Sequence, residues 1–264
     1  MAFARVNGVV LHHDVRGRKD GPALVFANSL GTDFRIWDEV AAALAGNYRI
    51  VLYDKRGHGL SEATPAPYRM TDHVGDLAAL LDHLGVAEAV VVGLSVGGMI
   101  AQGLAATRPD LVAALVLCDT AHRIGTPEMW NTRIDTVTAR GIGSMADAIM
   151  ERWFTPAYRV PENAAFIGYT NMLVRTTVDG YAGTCAAIRD ADLTESTRAL
   201  KLSALCIVGD QDGSTPPDLV RSTAELIEGS RFEIVANAGH LPCIEQPEAT
   251  VALIKGFLND IGRP

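Results

Sequence analysis

The 264-residue sequence predicts an α/β fold, a mostly parallel central sheet covered by helices on both faces. Three observations carry the prediction. Short β-branched and apolar runs alternate with helix-spaced segments from residue 22 to residue 118, the rhythm of strands buried on both faces and joined by crossover helices. The rhythm stops between about His122 and Arg198 and resumes at Ala204, so the middle of the chain reads as an insertion. One buried run, Ala87 to Val92, leads into Gly93-Leu94-Ser95-Val96-Gly97, and small and apolar residues follow at once, which reads as strand, abrupt turn and helix.

Taken in order, residues 3 to 16 alternate and turn at Asn7-Gly8, predicting a hairpin of Phe3 to Val6 and Val9 to Val15. His12 and His13 then face opposite sides of a strand and read as sheet residues. Pro22 to Ala27 is a short buried strand, and Asn28 to Asp33 the loop after it. A helix is expected over Ile36 to Ala45, a strand over Tyr48 to Asp54, and a glycine-rich turn over Lys55 to Ser61, in which His58 reads as a backbone-bonded loop residue. Thr71 or Asp72 is the expected cap of a helix with Leu77, Leu80, Leu81 and Leu84 at helical spacing and Gly85 at its end. After the helix that follows Ser95, Pro109 breaks the pattern and Leu111 to Cys118 is the sixth strand. Met145 to Phe154 and Tyr181 to Arg189 are the expected helices of the insertion. Ala204 to Gly209 and Phe232 to Ala236 complete the sheet, and a last helix runs from Pro247 to Ile261. The expected division is therefore a core of residues 1–121 and 199–264 with a helical cap, residues 122–198, inserted after the sixth strand. An insertion there lies over the strand ends where open α/β sheets bind ligands.

Composition narrows the function. At 48% hydrophobic and 20% charged residues the chain is ordinary for a globular protein, and no apolar run reaches the roughly 18 residues of a membrane span. The start Met1 to Gly8 has no signal-peptide pattern, which predicts a cytoplasmic protein. Cys118, Cys185, Cys206 and Cys243 are far apart and form no C-x-x-C pair, so reduced thiols are expected and no metal site. A formal charge of -8 argues against nucleic acid and provides no global attraction for an anion, so an acidic ligand must meet a local arginine. A homo-oligomer is left open.

The strand-turn-helix around Ser95 is the setting of an exposed nucleophile. A side chain at Gly93 or Gly97 would collide as the helix folds back past the strand, and the strained turn lifts Ser95 Oγ above the sheet edge. At the helix N-terminus the Val96 N–H can point at a developing oxyanion. A serine hydroxyl needs a base to take its proton, and His240, after the last strand, is the candidate. A carboxylate must orient the imidazole; Asp210 and Asp212, after the seventh strand, both qualify.

The order Ser95, acid, His240 resembles that of the α/β-hydrolase superfamily, and the likeness spans essentially the whole chain. It implies the α/β-hydrolase fold, Asp212 as the acid, since Gly209-Asp210-Gln211-Asp212 with Thr215-Pro216 resembles the family's acid loop, and Leu30 N–H as the second oxyanion donor beside Val96. Within the superfamily, Asn28-Ser29-Leu30-Gly31-Thr32-Asp33 with Trp37-Asp38, and Asp119-Thr120-Ala121 followed by Ile124 to Glu128, Trp130 and Arg133, resemble the 3-oxoadipate enol-lactonases. Asn28-Ser29 stands where many superfamily members carry His-Gly, and the enol-lactonases share that departure. The resemblance implies opening of 4-oxoadipate enol-lactone to 3-oxoadipate, in the β-ketoadipate pathway of aromatic catabolism, without metal or organic cofactor. The implied substrate is a small anionic lactone. Its free carboxylate calls for an arginine, and Arg133, three residues after Trp130, is the expected partner with Trp130 walling the pocket; Arg123 and Arg175 are alternatives. A general carboxylesterase or a perhydrolase-like serine hydrolase is the alternative on the same scaffold, and a non-catalytic small-ligand-binding protein the alternative of another class.

Overall fold

The opening strands pair antiparallel across Asn7 and Gly8, both at positive φ, 47° and 77°, as a two-residue hairpin turn requires. A computed structural model describes residues 1–263; residue 264, the end of the expected core segment, lies outside them. Among the described residues the strands are β1 (Ala2–Val6), β2 (Val9–Gly17), β3 (Ala23–Ala27), β4 (Arg49–Tyr53), β5 (Ala89–Leu94), β6 (Val112–Cys118), β7 (Ser203–Gly209) and β8 (Arg231–Val235). They form one sheet in the order β1-β2-β4-β3-β5-β6-β7-β8. From β4 onward across the sheet every pairing is parallel. Val25 lies between Val51 and Val91, and Leu115 between Val91 and Ala204, all buried. That burial on both faces is why these strands read as unbroken apolar runs.

The crossover helices are α1 (Asp38–Leu44), α2 (Met70–Leu84) and α3 (Val96–Thr107). The path from β3 to β4 runs one way across the sheet and the paths from β4 to β5 to β6 run the other. Right-handed crossovers therefore put α1 on one face and α2 and α3 on the opposite one. The helix expected from Ile36 opens as a 3-10 turn, Phe34–Trp37, capped by the Asp33 carboxylate on the Arg35 N–H. The expected cap of α2 is corrected: the helix begins at Met70, and Asp72 reaches back from its third position to accept from the Arg69 N–H at 2.8 Å.

Between β6 and β7 lie α4 (Pro127–Arg140), α5 (Ala146–Trp153), α6 (Ala164–Val174), α7 (Val178–Arg189) and α8 (Thr194–Arg198). α4 packs on α7, and α8 packs down on α3. α7 sits on the turn after β4 at glycine-to-glycine contact: a Cβ on Gly180 would come within 2.0 Å of the Gly57 carbonyl oxygen. The chain closes with α9 (Pro217–Ala224), the short α10 (Pro242–Glu245) and α11 (Pro247–Asp260), which packs beside α1. Among the described residues no helix is long and apolar enough to cross a membrane, and all four cysteines are free and buried.

Candidate active site

Ser95 sits between β5 and α3 at φ 57°, ψ -121°, a conformation L-residues avoid unless the surroundings impose it. The surroundings are backbone. A Cβ at Gly93 would lie 2.4 Å from the Gly97 carbonyl oxygen, and one at Gly97 2.2 Å from that of Ala27. The Ser95 N–H donates to the Cys118 carbonyl at 3.0 Å, and the Thr120 hydroxyl donates to the Ser95 carbonyl at 2.6 Å. The turn is thus bolted to the end of β6.

Asp212 and His240 arrive from the loops after β7 and β8. His240 Nδ1 lies 2.9 Å from Asp212 Oδ2, both side chains buried. The Thr215 hydroxyl donates to Asp212 Oδ2 at 2.6 Å, and the Ser214 and Thr215 N–H groups donate to Oδ1 at 2.7 and 3.1 Å. Burial pushes the Asp212 carboxyl up, but His240 and these donors outweigh it and hold it below the ordinary carboxylate range. The rival Asp210 is exposed and accepts from the Ala238 N–H at 3.2 Å, away from the imidazole. The His240 N–H donates to the Trp153 carbonyl at 2.8 Å, tying the histidine loop to α5.

Ser95 and His240 share the wall of one cavity with Ser29, Leu30, Trp130, Arg133, Arg152, Trp153, Tyr181 and Thr215. Its volume is about 70 Å³. The Leu30 and Val96 N–H groups donate to no backbone or side-chain acceptor among the described residues; Leu30 lines the cavity, and Val96 does not. Val96 is buried at the first position of α3. Trp130 is buried, its indole N–H on the Ile124 carbonyl at 2.7 Å, and the Arg133 guanidinium lies 5.2 Å over its ring. Arg123 faces Asp192 at 3.8 Å, and neither it nor Arg175 reaches the cavity. His58 is buried on the Arg56 carbonyl, outside the site.

Three comparisons agree on the scaffold. Residues 22–139 match the family model described as alpha/beta hydrolase fold. The chain is 33% identical over 241 residues to 3-oxoadipate enol-lactonase 2 of Acinetobacter baylyi, covering 91% of this chain and 90% of that protein. The chain belongs to the α/β-hydrolase family. It superposes on the enol-lactonase from Burkholderia xenovorans LB400 with a TM-score of 0.95 at 38% identity, covering 98% of this chain and all of that one. It superposes on a thermophilic esterase from Thermogutta terrifontis, malate bound, with a TM-score of 0.93 at 27% identity and 99% coverage of both chains.

The hydrolase scaffold brings together more than the motifs announce. Arg152, Tyr181 and Trp153 join the cavity from α5 and α7, and no local pattern in the sequence singles them out. Asp119 is the other addition. It follows β6 at φ 45°, is buried, accepts the Gly209 N–H on Oδ1 at 2.9 Å, and leaves Oδ2 without a partner. Burial and the neighbouring Asp212 charge push its carboxyl well above the ordinary range. Asp119, Asp212 and His240 bring ligand-type atoms within 4.8 Å of one another. The Asp212 oxygens are already taken by four donors, however, so this donor set is built for a proton rather than a cation.

Proposed function

We propose that this hydrolase opens the enol-lactone of 4-oxoadipate with water to give 3-oxoadipate, as a step of the β-ketoadipate pathway. The observation that carries the reading is one cavity whose wall holds Ser95, His240 with Asp212 bonded behind it, and the arginines Arg133 and Arg152. Neither arginine pairs with an acid among the described residues. An anionic lactone puts its ring carbonyl at the serine and its carboxylate at the guanidinium groups, where bidentate pairing fixes its orientation. The enol-lactonase likenesses support the ring, and the esterase with malate bound supports an anionic ligand.

In this scheme Ser95 Oγ attacks the lactone carbonyl as His240 takes its proton, and Asp212 stabilises the imidazolium. The Leu30 and Val96 N–H groups bind the oxyanion. Collapse breaks the ring C–O bond; the enol oxygen leaves with the proton from His240 and the enol relaxes to a ketone. Water, deprotonated by His240, then attacks the acyl-enzyme, and Ser95 leaves with that proton. The scheme uses no metal or organic cofactor.

A broad carboxylesterase is the second reading, favoured by the likeness to the Thermogutta esterase. Steady-state rates on enol-lactone generated in situ and on a neutral p-nitrophenyl ester of similar size separate the two. The lactonase reading expects kcat/KM at least about a hundredfold higher on the lactone, loss of turnover in Ser95→Ala by about 10⁴ or more, and fluorophosphonate labelling of Ser95 in the wild type. Comparable rates on both substrates leave a carboxylesterase. No turnover and no labelling return the binding-protein alternative.

A further inference from the structure

Behind the loop after β3 lies a charge that the scheme above does not use. Lys55, two residues beyond β4, is 1% exposed. Its Nζ donates to the Ser29 carbonyl at 2.5 Å and lies 3.4 Å from that of Thr32. The Ser29 oxygen also accepts from the Thr32 hydroxyl at 2.9 Å and the Thr32 N–H at 3.3 Å. An apolar side chain of similar length would fill this position without the desolvation that a buried ammonium suffers.

The peptide joining Ser29 to Leu30 is trans and planar, so the carbonyl held by Lys55 and the Leu30 N–H point in opposite directions. Lys55 is shut off from the cavity, whereas Ser29 and Leu30 line it and the Leu30 N–H is free. We infer that Lys55 is a positioning residue for the oxyanion hole: seated on the Ser29 carbonyl, it turns the Leu30 N–H toward the reacting carbonyl and polarises the shared peptide to make that N–H a stronger donor. Charge-assisted bonds are roughly twice as strong as neutral ones, and polarisation passes along a hydrogen-bonded chain. The inference rests on the serine-hydrolase reading and not on which ester or lactone is the substrate. Burial pulls the Lys55 ammonium down to about 7, against the carboxylates of Asp54 and Asp33. His58 and His73 are the other titratable groups that feel its charge.

The test compares wild type, Lys55→Met and Thr32→Val on p-nitrophenyl acetate and on the lactone, with thermal melts and the Leu30 amide resonance followed by NMR from pH 6 to 9. Lys55→Met is expected to lower kcat on the ester about 10- to 100-fold, leave KM within about threefold, keep or raise Tm, and remove a fall in kcat above about pH 7 that wild type shows. Thr32→Val, which removes an uncharged donor from the same oxygen, is expected to lose less than about threefold in kcat and to keep that fall. In wild type the Leu30 amide should move with a midpoint near 7. A Lys55→Met kcat within twofold of wild type overturns the inference, as does an equal loss in Thr32→Val. A Leu30 amide that stays still overturns it without any variant, even if Lys55→Met fails to fold. Ester turnover without lactone turnover would instead remove the lactone reading and leave Lys55 where it stands.

Discussion

Ser95 occupies a backbone conformation that costs on the order of 1–3 kcal/mol for an L-residue, and its amide and carbonyl bonds to Cys118, Thr120, Gly98 and Met99 hold it there. Asp119, beside it, is a strained position of another kind, a buried acid facing a charged one. Its carboxyl is raised above its unfolded value, so between about pH 4 and that higher value the folded chain keeps a proton that the unfolded chain releases, and stability falls as pH rises. Asp119→Asn should therefore raise Tm at pH 8, by about 2–4 °C for each kcal/mol relieved, with no gain at pH 4; thermal melts at the two pH values check it, and equal shifts would show that titration is not the cause. The arginines can be separated by kinetics. Arg133→Ala is expected to raise KM for the lactone about tenfold or more and to leave a neutral ester nearly unchanged, and Arg152→Ala to do the same to a smaller degree, being the more exposed of the two. Equal losses on both substrates would mean that Arg133 supports the cavity wall rather than the carboxylate. The Ser95 turn was legible because its glycines, its preceding run and its following helix lie within one short stretch. Arg152 was not, because its place in the cavity depends on how α5 docks, which no spacing within α5 encodes.

At the scale of elements, the helices between β6 and β7 share one hydrophobic core with the sheet and also meet its loops at close backbone contacts. Gly180 in α7 meets Gly57, whose carbonyl also accepts from the Thr177 hydroxyl at 3.2 Å, and the Tyr68 N–H donates to the Gly183 carbonyl at 3.2 Å. Tyr181, next to Gly180, carries the cavity wall. A methyl at Gly180 has to push α7 off the turn, so Gly180→Ala should cost about 1–3 kcal/mol, lower Tm by about 3–10 °C, and raise KM for the lactone as Tyr181 withdraws; a melt within a degree of wild type would show that the contact relaxes freely. The strands β3 to β7 were readable because they are buried on both faces and so are almost wholly apolar, and β1 and β2 because they alternate across their hairpin turn. The 3-10 start of α1 and the first turn of α2 were not, because capping is settled by which side chain finds a free N–H, and Asp72 finds one from inside the helix. α4 carries a visible start in Thr126-Pro127, with the Thr126 hydroxyl accepting the Met129 N–H at 3.3 Å, whereas α6 is apolar with most of its length outside the core.

For the whole molecule, strand order is what turns separate motifs into a site. β5, β7 and β8 are parallel and ordered so that the loops leaving them open at one edge of the sheet, and residues 95, 212 and 240 meet there. The sequence by itself determined the alternation of strands and helices, the position of Ser95 on a sharp turn, and the presence of an acid and a histidine after later strands, because all of these depend on local periodicity, glycine sterics and chain order. Only the tertiary structure decided that Asp212 rather than Asp210 meets His240, that Arg133 and Arg152 reach the cavity while Arg123 and Arg175 do not, and that Asp119 and Lys55 lie buried behind the site. Those outcomes depend on which loop passes which across long stretches of chain, and a hydrogen bond or a burial between distant residues exists only after the sheet has brought them together.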